Sequence, residues 1–162
     1  MNILKELNIA SNLSSLNLIQ RFVEEVCDEF NINNTYFANI SVAINEAVRN
    51  AIIHGNKLDE TKNVYIAFGR KNEALIFLIK DEGKGFDFNN LIDPTEEIGE
   101  NIGTGIFLIN LLSDDVSFSD NGSTIEISFY VKSINQSLAN ERANILGEYK
   151  CHKVLKEYKK TK

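Results

Sequence analysis

The first third of the chain predicts one strand followed by two helices. Residues 3–10 alternate weakly between apolar and polar side chains, and one of the serines at positions 11, 14 and 15 can then cap a helix. Apolar residues recur every three or four positions as far as about Phe30, which is typical of a helix with one buried side. A second helix is predicted from about Thr35 to His54, where Gly55 and Asn56 form a left-handed stop.

The middle of the chain predicts a β-hairpin and a long loop. Residues 64–69 and 74–81 are apolar runs of β type, and the four polar residues between them indicate a hairpin connection. A glycine-rich turn follows. Residues 86–102 then contain the only proline, several acidic residues and little periodicity, which is typical of a loop with a functional role.

A third helix and a second hairpin complete the predicted domain. The helix covers residues 103–115, and the strands 116–119 and 123–131 are joined by an Asn-Gly turn. Hairpins between grouped helices predict an α+β two-layer sandwich, with a mixed, mostly antiparallel sheet and the helices on one face. A doubly wound nucleotide-binding fold is disfavoured because it requires regular βαβ alternation.

Composition is that of a single-domain soluble protein. The 162 residues suffice for one core, and 43% apolar with 25% charged residues is an ordinary balance. No apolar run approaches the roughly 20 residues that span a bilayer, and the N-terminal residues do not have the pattern of a secretion signal. We therefore expect a cytoplasmic protein that does not enter a membrane.

Charge is unevenly distributed along the chain. From Lys150 onward there are six lysines and one glutamate, so residues 1–149 carry −11 although the whole chain carries −6. An acidic body argues against duplex nucleic acid as the main ligand, because phosphate binding needs a basic surface. Residues 132–162 are predicted to form a helical, basic extension, either packed on its own domain or used for docking.

The second predicted helix carries a polar stripe within an apolar surface. At 100° per residue, Asn39, Glu46 and Asn50 fall within about 40° of one another, and apolar positions lie on both sides. A buried carboxylate needs a partner. Two interpretations stay open: Arg49 or another segment pairs with Glu46, or Glu46 and Asn50 face a cavity that holds a cation, a water or a polar substrate.

Two glycine turns add further candidate chemistry. In residues 81–85, Asp81 ends an apolar strand, and Gly83 and Gly85 allow close approach of a ligand to the backbone. In residues 103–105, two glycines open a helix whose N–H groups can hold phosphate oxygens. Either turn alone is a weak signal, and the phosphate-loop pattern GxxxxGK[ST] is absent from the sequence.

In this order and spacing, the motifs ExxxN, DxGxG and GxG resemble the ATP-binding domain of the GHKL superfamily, which includes gyrase and the histidine kinases. The short chain and the wording EAVRNAIIHG…VYIAF…IKDEGKGFD are similar to anti-sigma factor serine kinases of the RsbW and SpoIIAB type. The resemblance covers about residues 1–131 and implies the Bergerat ATPase fold, with residues 132–162 as an extension.

The resemblance also implies roles for individual residues. Glu46 matches the catalytic carboxylate and Asn50 the Mg²⁺ ligand, while Asp81 matches the aspartate that accepts a hydrogen bond from the adenine amino group. Residues 86–102 match the lid over the triphosphate. The remaining predicted nucleotide-binding residues are Gly83, Gly85, Gly103, Thr104, Gly105 and Thr124, the last of these near the adenine.

One feature departs from the family pattern. Relatives place a basic residue in or beside the lid, but residues 86–116 contain neither Lys nor Arg, and Thr104 stands where a cation is expected. Phosphoryl transfer depends on positive charge near the transferred group. Lys84 is one substitute if its side chain turns inward, whereas Arg49 is expected to contact a partner or the other protomer instead.

The resemblance implies a serine/threonine kinase that uses Mg²⁺ and ATP, releases ADP, and phosphorylates a STAS-domain anti-sigma antagonist. The same protein would sequester a sigma factor and form a homodimer. The alternative is a nucleotide-binding module with little turnover that controls a protein partner, which the absence of a lid cation favours. A more distant alternative is a GHKL domain that partners a phosphatase or another transcription regulator.

Overall fold

A computed structural model describes most of the predicted domain and a small part of the extension. The described residues are 1–32, 34–86, 104–130, 141–142 and 144–147. Most of the predicted lid, Gly103, the predicted boundary at 131 and most of the basic extension lie outside this set. No helix among the described residues has the length and apolar character needed to cross a bilayer.

Five strands and three helices follow the predicted order. They are β1 (Asn2–Ala10), α1 (Leu16–Glu29), α2 (Asn34–Asn50), β2 (Asn63–Lys71), β3 (Ala74–Asp81), α3 (Thr104–Leu112), β4 (Asp115–Ser119) and β5 (Thr124–Tyr130). A short helical segment is also described at residues 141–142 and 144–147.

The strands form one sheet in the order β1-β2-β3-β5-β4, and every neighbouring pair of these strands is antiparallel. Both predicted hairpins are present as β2–β3 and β4–β5. The two-layer α+β fold is thus confirmed, although the described sheet is wholly antiparallel rather than mixed. Because β3 lies at its centre, the end of β3 at Asp81 is flanked by both neighbouring strands.

Alternation along the strands directs one side of the sheet toward the helices. Phe68, Phe77 and Phe129 lie on this side and are fully buried with Tyr36 of α2. Their rings meet at centroid distances of 5.0 to 6.0 Å. Each such side chain contributes about 1.5–3 kcal/mol when removed from water, so this aromatic cluster fixes α2 against the central strands.

Two helix ends differ from the prediction. Asn12 caps the short 3₁₀ turn that precedes α1, and its Oδ1 accepts a hydrogen bond from the Ser15 backbone N–H at 3.1 Å. Ser15, one of the three predicted serines, occupies the N-cap position of α1, but its side chain makes no capping hydrogen bond. The second helix is α-helical only to Asn50 and continues as a π-helical turn over Ala51–Gly55. Such turns are rare and often mark functional sites.

Candidate active site

Glu46 and Asn50 meet the start of α3. Both lie on α2, one turn apart, and both are partly buried. A Cβ built on Gly105 would overlap Glu46 Oε1 and would lie 2.7 Å from Asn50 Nδ2. Only glycine therefore fits at this point of α3 without displacing the two side chains, and three of the predicted site residues come together here.

Glu46 also pairs with Arg49. The Arg49 Nη1 donates to Glu46 Oε1 at 3.4 Å, and the two side chains are 50% and 21% exposed respectively. Of the two interpretations of the polar stripe, the pairing with Arg49 is observed. The pairing does not exclude a site, because Glu46 is partly open to solvent and lies against the start of α3.

Asp81 lies in a cradle formed by two glycines. A Cβ on Gly55 would overlap the Asp81 carboxylate, and a Cβ on Gly83 would lie 2.7 Å from Asp81 Oδ1. The Gly83 backbone N–H donates to this oxygen at 2.7 Å. Burial raises the pKa of Asp81, opposed by the Gly83 hydrogen bond and by the positive charge of Lys62. The second carboxylate oxygen remains an acceptor for a ligand.

The turn after Asp81 packs on the turn between β4 and β5. The Phe86 backbone N–H donates to the Asn121 carbonyl at 2.9 Å. Gly85 and Gly122 have φ of +75° and +90°, a region that favours glycine, and a side chain on either one would collide with the facing turn. Gly85 is therefore required for the contact between the turns, while Gly83 is required for the Asp81 cradle.

Thr124 does not lie on the same side of the sheet as Asp81. It is directly opposite Lys80 on the neighbouring strand, and Asp120 Oδ2 accepts hydrogen bonds from both Thr124 Oγ1 and Lys80 Nζ. Since successive side chains of a strand point to opposite faces, Asp81 points the other way. This register does not place the Thr124 side chain beside that of Asp81, and the expectation that Thr124 lies near the adenine stays a prediction. Ser123, whose carbonyl accepts from the Asp81 N–H at 3.0 Å, is the residue beside Asp81.

Sequence reasoning missed two residues that support this end of the site. Gly55 touches Asp81, and Asn56 is buried with both of its amide atoms bonded: Nδ2 donates to the Asn63 carbonyl and Oδ1 accepts from the Glu82 N–H, each at 2.8 Å. Asn56 therefore ties the end of the second helix to β2 and to the turn after β3. The signal was the dipeptide Gly-Asn, which was interpreted only as a helix stop.

The remaining predicted site residues are placed as follows. Thr104 begins α3, and Gly103 lies just outside the described residues. Lys84, the candidate substitute cation, is exposed.

The arrangement places Asp81 and the pair of Glu46 and Asn50 at two points along the second helix. Gly55, beside Asp81, follows Glu46 by nine residues, which corresponds to roughly 13 Å along a helix axis. An adenine nucleotide can bridge that distance. At one end a carboxylate can accept a hydrogen bond from an exocyclic amine, and at the other a helix N-terminus can meet phosphate oxygens.

Comparison with known proteins matches the chain to an ATPase domain family and to serine-protein kinases. The model of the histidine kinase-like ATPase domain matches residues 9–129. Serine-protein kinase RsbW of Bacillus cereus strain AH187 is 34% identical over 115 residues, which are 62% of this chain and 71% of that protein. RsbW of Bacillus cereus strain Q1 is 28% identical over 137 residues, covering 78% and 84% of the two chains.

A solved structure is also similar. The crystal structure of the RsbU and RsbW domains of Rv1364c from Mycobacterium tuberculosis aligns with a TM-score of 0.54 at 16% identity. The alignment covers 78% of this chain but only 32% of that larger one. At this identity the likeness extends to the fold alone.

Proposed function

The chain belongs to the histidine kinase-like ATPase domain family, and on that premise we propose that it is an ATP-dependent serine/threonine protein kinase and anti-sigma factor. Its substrate in this proposal is a STAS-domain anti-sigma antagonist. The names of the relatives, serine-protein kinase RsbW, support the choice of serine as the acceptor.

The observation that carries the proposal is the meeting of Glu46, Asn50 and Gly105. It brings a carboxylate, an amide and the start of a helix to one point, and there is no room there for a larger residue. A structural ion pair between Glu46 and Arg49 would not require glycine on the facing helix. A phosphate site beside the first turn of α3, with Glu46 and Asn50 held close to that turn, accounts for it.

In the proposed reaction, the hydroxyl oxygen of the substrate serine attacks the terminal phosphorus of ATP. A bond between the serine oxygen and that phosphorus forms, the bond from phosphorus to the β,γ-bridging oxygen breaks, and ADP leaves. The serine proton passes to the Glu46 carboxylate. General-base catalysis of this kind contributes about 10²–10⁴-fold to the rate.

Asn50 fits the role of a magnesium ligand. Mg²⁺ takes few protein ligands besides phosphate oxygens and water, and an amide oxygen is a suitable one. When bound, the ion neutralises charge on the phosphates. In this chain, Gly105 keeps the Asn50 amide accessible, since a Cβ there would lie 2.7 Å from Nδ2.

Two further partners belong to the proposal. The kinase would hold a sigma factor, and an unphosphorylated antagonist would displace it, so phosphorylation of the antagonist would favour capture of sigma again. We also propose a homodimer, which sedimentation equilibrium of the purified protein would detect as twice the chain mass of 18.3 kDa.

A second candidate function is a nucleotide-dependent binding module with little turnover. The observation in its favour is that residues 86–116 contain no Lys or Arg, so the charge that usually stabilises phosphoryl transfer is missing there. Both functions need nucleotide binding. They differ in whether the terminal phosphate reaches a serine.

The test combines γ-labelled ATP, Mg²⁺ and STAS proteins encoded nearby in the genome. We expect label on a serine with the wild type, a loss of about 10²-fold or more with Glu46→Gln, and normal transfer with Glu141→Gln, an exposed control. Tight nucleotide binding without transfer to any candidate would overturn the kinase in favour of the binding module. Failure to bind nucleotide would overturn both.

A further inference from the structure

The proposed phosphate site gathers negative charge from both ATP and Glu46. ATP brings several negative charges to a point where Glu46 already carries one, and residues 86–116, which include the predicted lid, have no basic residue to offset them. Like charges at such short range oppose binding unless a cation lies among them. Mg²⁺ on Asn50 would offset part of this charge, and a further cation would have to come from another element of the domain.

Arg49 is the cation that the described structure places closest to this point. Its Nη1 lies 3.4 Å from Glu46 Oε1, the atom that a Cβ on Gly105 would overlap. The guanidinium and the start of α3 therefore converge on one carboxylate oxygen. A phosphate at the N-terminus of α3 would lie within reach of the Arg49 side chain.

The present contact of Arg49 is weak enough to be exchanged. The ion pair is long and consists of one N···O contact between residues three apart on the same helix. The Arg49 side chain is also half exposed. Such pairs contribute little. A phosphate offers the planar guanidinium two parallel hydrogen bonds instead, so movement of Arg49 from Glu46 to phosphate is favourable once nucleotide is bound.

On the premise of the proposed function, we propose that Arg49 recognises the terminal phosphate of ATP and supplies the positive charge that the lid lacks. When Arg49 turns to the phosphate, Glu46 loses its ion-pair partner and its carboxylate becomes free to accept the serine proton. One side chain thus distinguishes ATP from ADP and releases the base only when ATP is present.

The experiment compares Mg²⁺-dependent binding of ADP and of a non-hydrolysable ATP analogue by calorimetry. We expect Arg49→Gln to weaken binding of the analogue at least tenfold and binding of ADP less than about threefold. Arg49→Lys should keep part of the difference because the charge remains. Arg21→Gln removes the same charge from an exposed site on α1 and should bind like the wild type.

Lys84→Gln tests the rival cation, since Lys84 is exposed beside the glycine turn. The proposal is overturned if Arg49→Gln leaves both affinities unchanged, weakens both equally, or if Lys84→Gln shows the ATP-selective loss instead. Selective loss with Arg49→Gln supports it even where no serine is labelled. A wild type that binds neither nucleotide overturns the proposed function itself.

Discussion

At the scale of single residues, burial of the Asp81 carboxylate at the proposed adenine site lowers stability. Asp81 is 9% exposed, and among the described residues its charge is offset by one backbone N–H and a nearby lysine. Burial raises the pKa of this group, which means that the folded state holds the charged form at a cost. The carboxylate is poorly solvated and correspondingly strong as an acceptor for a ligand amine.

The first prediction is that Asp81→Asn weakens ATP binding without lowering stability. Asn keeps an oxygen for the Gly83 N–H but then presents an NH₂ group, a donor, to the adenine amine. We expect at least a tenfold loss of affinity by calorimetry, together with an unchanged or higher Tm at neutral pH because a buried charge is removed. Unchanged affinity would refute the adenine assignment.

The pH dependence of the same group gives a second prediction. With a folded pKa above its ordinary value of 3.8, Asp81 binds a proton in the folded state before it would in the unfolded chain. Its destabilising effect is therefore complete above the raised pKa and fades as the pH falls through it. The Tm difference between Asp81→Asn and wild type should shrink over that acidic range, measured by calorimetric scans.

The destabilisation by Asp81 fades as the pH falls, but the affinity of the protein for ATP should fall as well. Protonation removes the acceptor, so wild-type affinity is highest above the raised pKa of Asp81 and falls as the pH drops through it. Asp81→Asn has no proton to gain at this position. Its affinity should be low and should lack that component of the pH dependence, and identical profiles for the two proteins would contradict the assignment.

Some site residues were predictable from the sequence because helical periodicity fixes them. Glu46 and Asn50 are four apart and must share one side of α2. The residue beside Asp81 was not predictable, because a shift of one position in β5 exchanges Ser123 and Thr124. Only the pairing of Lys80 with Thr124 settles that register, and it depends on contacts between distant segments.

At the scale of elements, the contact between α2 and α3 depends on Gly105, a glycine within a helix. Glycine is a poorer helix former than alanine, and Gly105 is the second residue of α3. Its advantage is the close approach of α3 to Glu46 and Asn50. Helix propensity is therefore low at the point of α3 where the proposed phosphate site lies.

The third prediction is that Gly105→Ala reduces nucleotide binding and transfer. The added Cβ would overlap Glu46 Oε1 and crowd Asn50, and we expect at least a tenfold loss in binding of Mg-ATP by calorimetry.

Gly147→Ala is the matched control for this substitution. Gly147 is also helical and exposed, but no atom of the described residues lies within 4 Å of its added Cβ. It should keep normal affinity and gain up to about 1 kcal/mol of stability. Equal behaviour of the two variants would show that the space at Gly105 does not matter for the site.

Element boundaries were predicted less well than element types. The apolar pattern through His54 continues the helical period, so the change from α to π geometry at Ala51 left no trace in it. The reason for the change is tertiary: Gly55 must meet Asp81, and Asn56 must reach Asn63 and Glu82. These contacts outweigh the regular α-helical pattern.

At the scale of the whole molecule, the fold was predictable because two hairpins and amphipathic helices leave few ways to bury their apolar faces. The attachment of the C-terminal extension was not. Arg142 caps the end of α3, donating to the Leu112 and Ser113 carbonyls at 3.3 and 3.0 Å and to Asp114 Oδ1 at 2.9 Å. No sequence pattern links a lone arginine to a helix thirty residues earlier.

Asp114 accepts further hydrogen bonds beside the contact between Arg142 and α3. Its Oδ2 accepts hydrogen bonds from the Tyr36 hydroxyl at 3.0 Å and from the Tyr130 backbone N–H at 2.7 Å. One carboxylate thereby joins α2, β5 and the extension. The Arg142 and Asp114 side chains are only 12% and 9% exposed, so the ion pair between them is well shielded from water.

The fourth prediction follows from that shielding. Removing one partner of a buried pair leaves the other charge without compensation, at a cost of about 3 kcal/mol. Arg142→Gln should therefore lower the free energy of unfolding by about that amount and move the urea midpoint down by about 1 M or more.

The neighbouring residue supplies the control for this last change. Glu141 is exposed, and Glu141→Gln alters charge in the same helical segment without touching α3, so its urea midpoint should match the wild type. Arg142 holds the C-terminal end of α3 whereas Gly105 lies near its start. Affinity for Mg-ATP should accordingly stay within about threefold of wild type at temperatures where Arg142→Gln is folded. An unchanged midpoint for Arg142→Gln would mean that the extension contributes nothing to the stability of the ATPase domain.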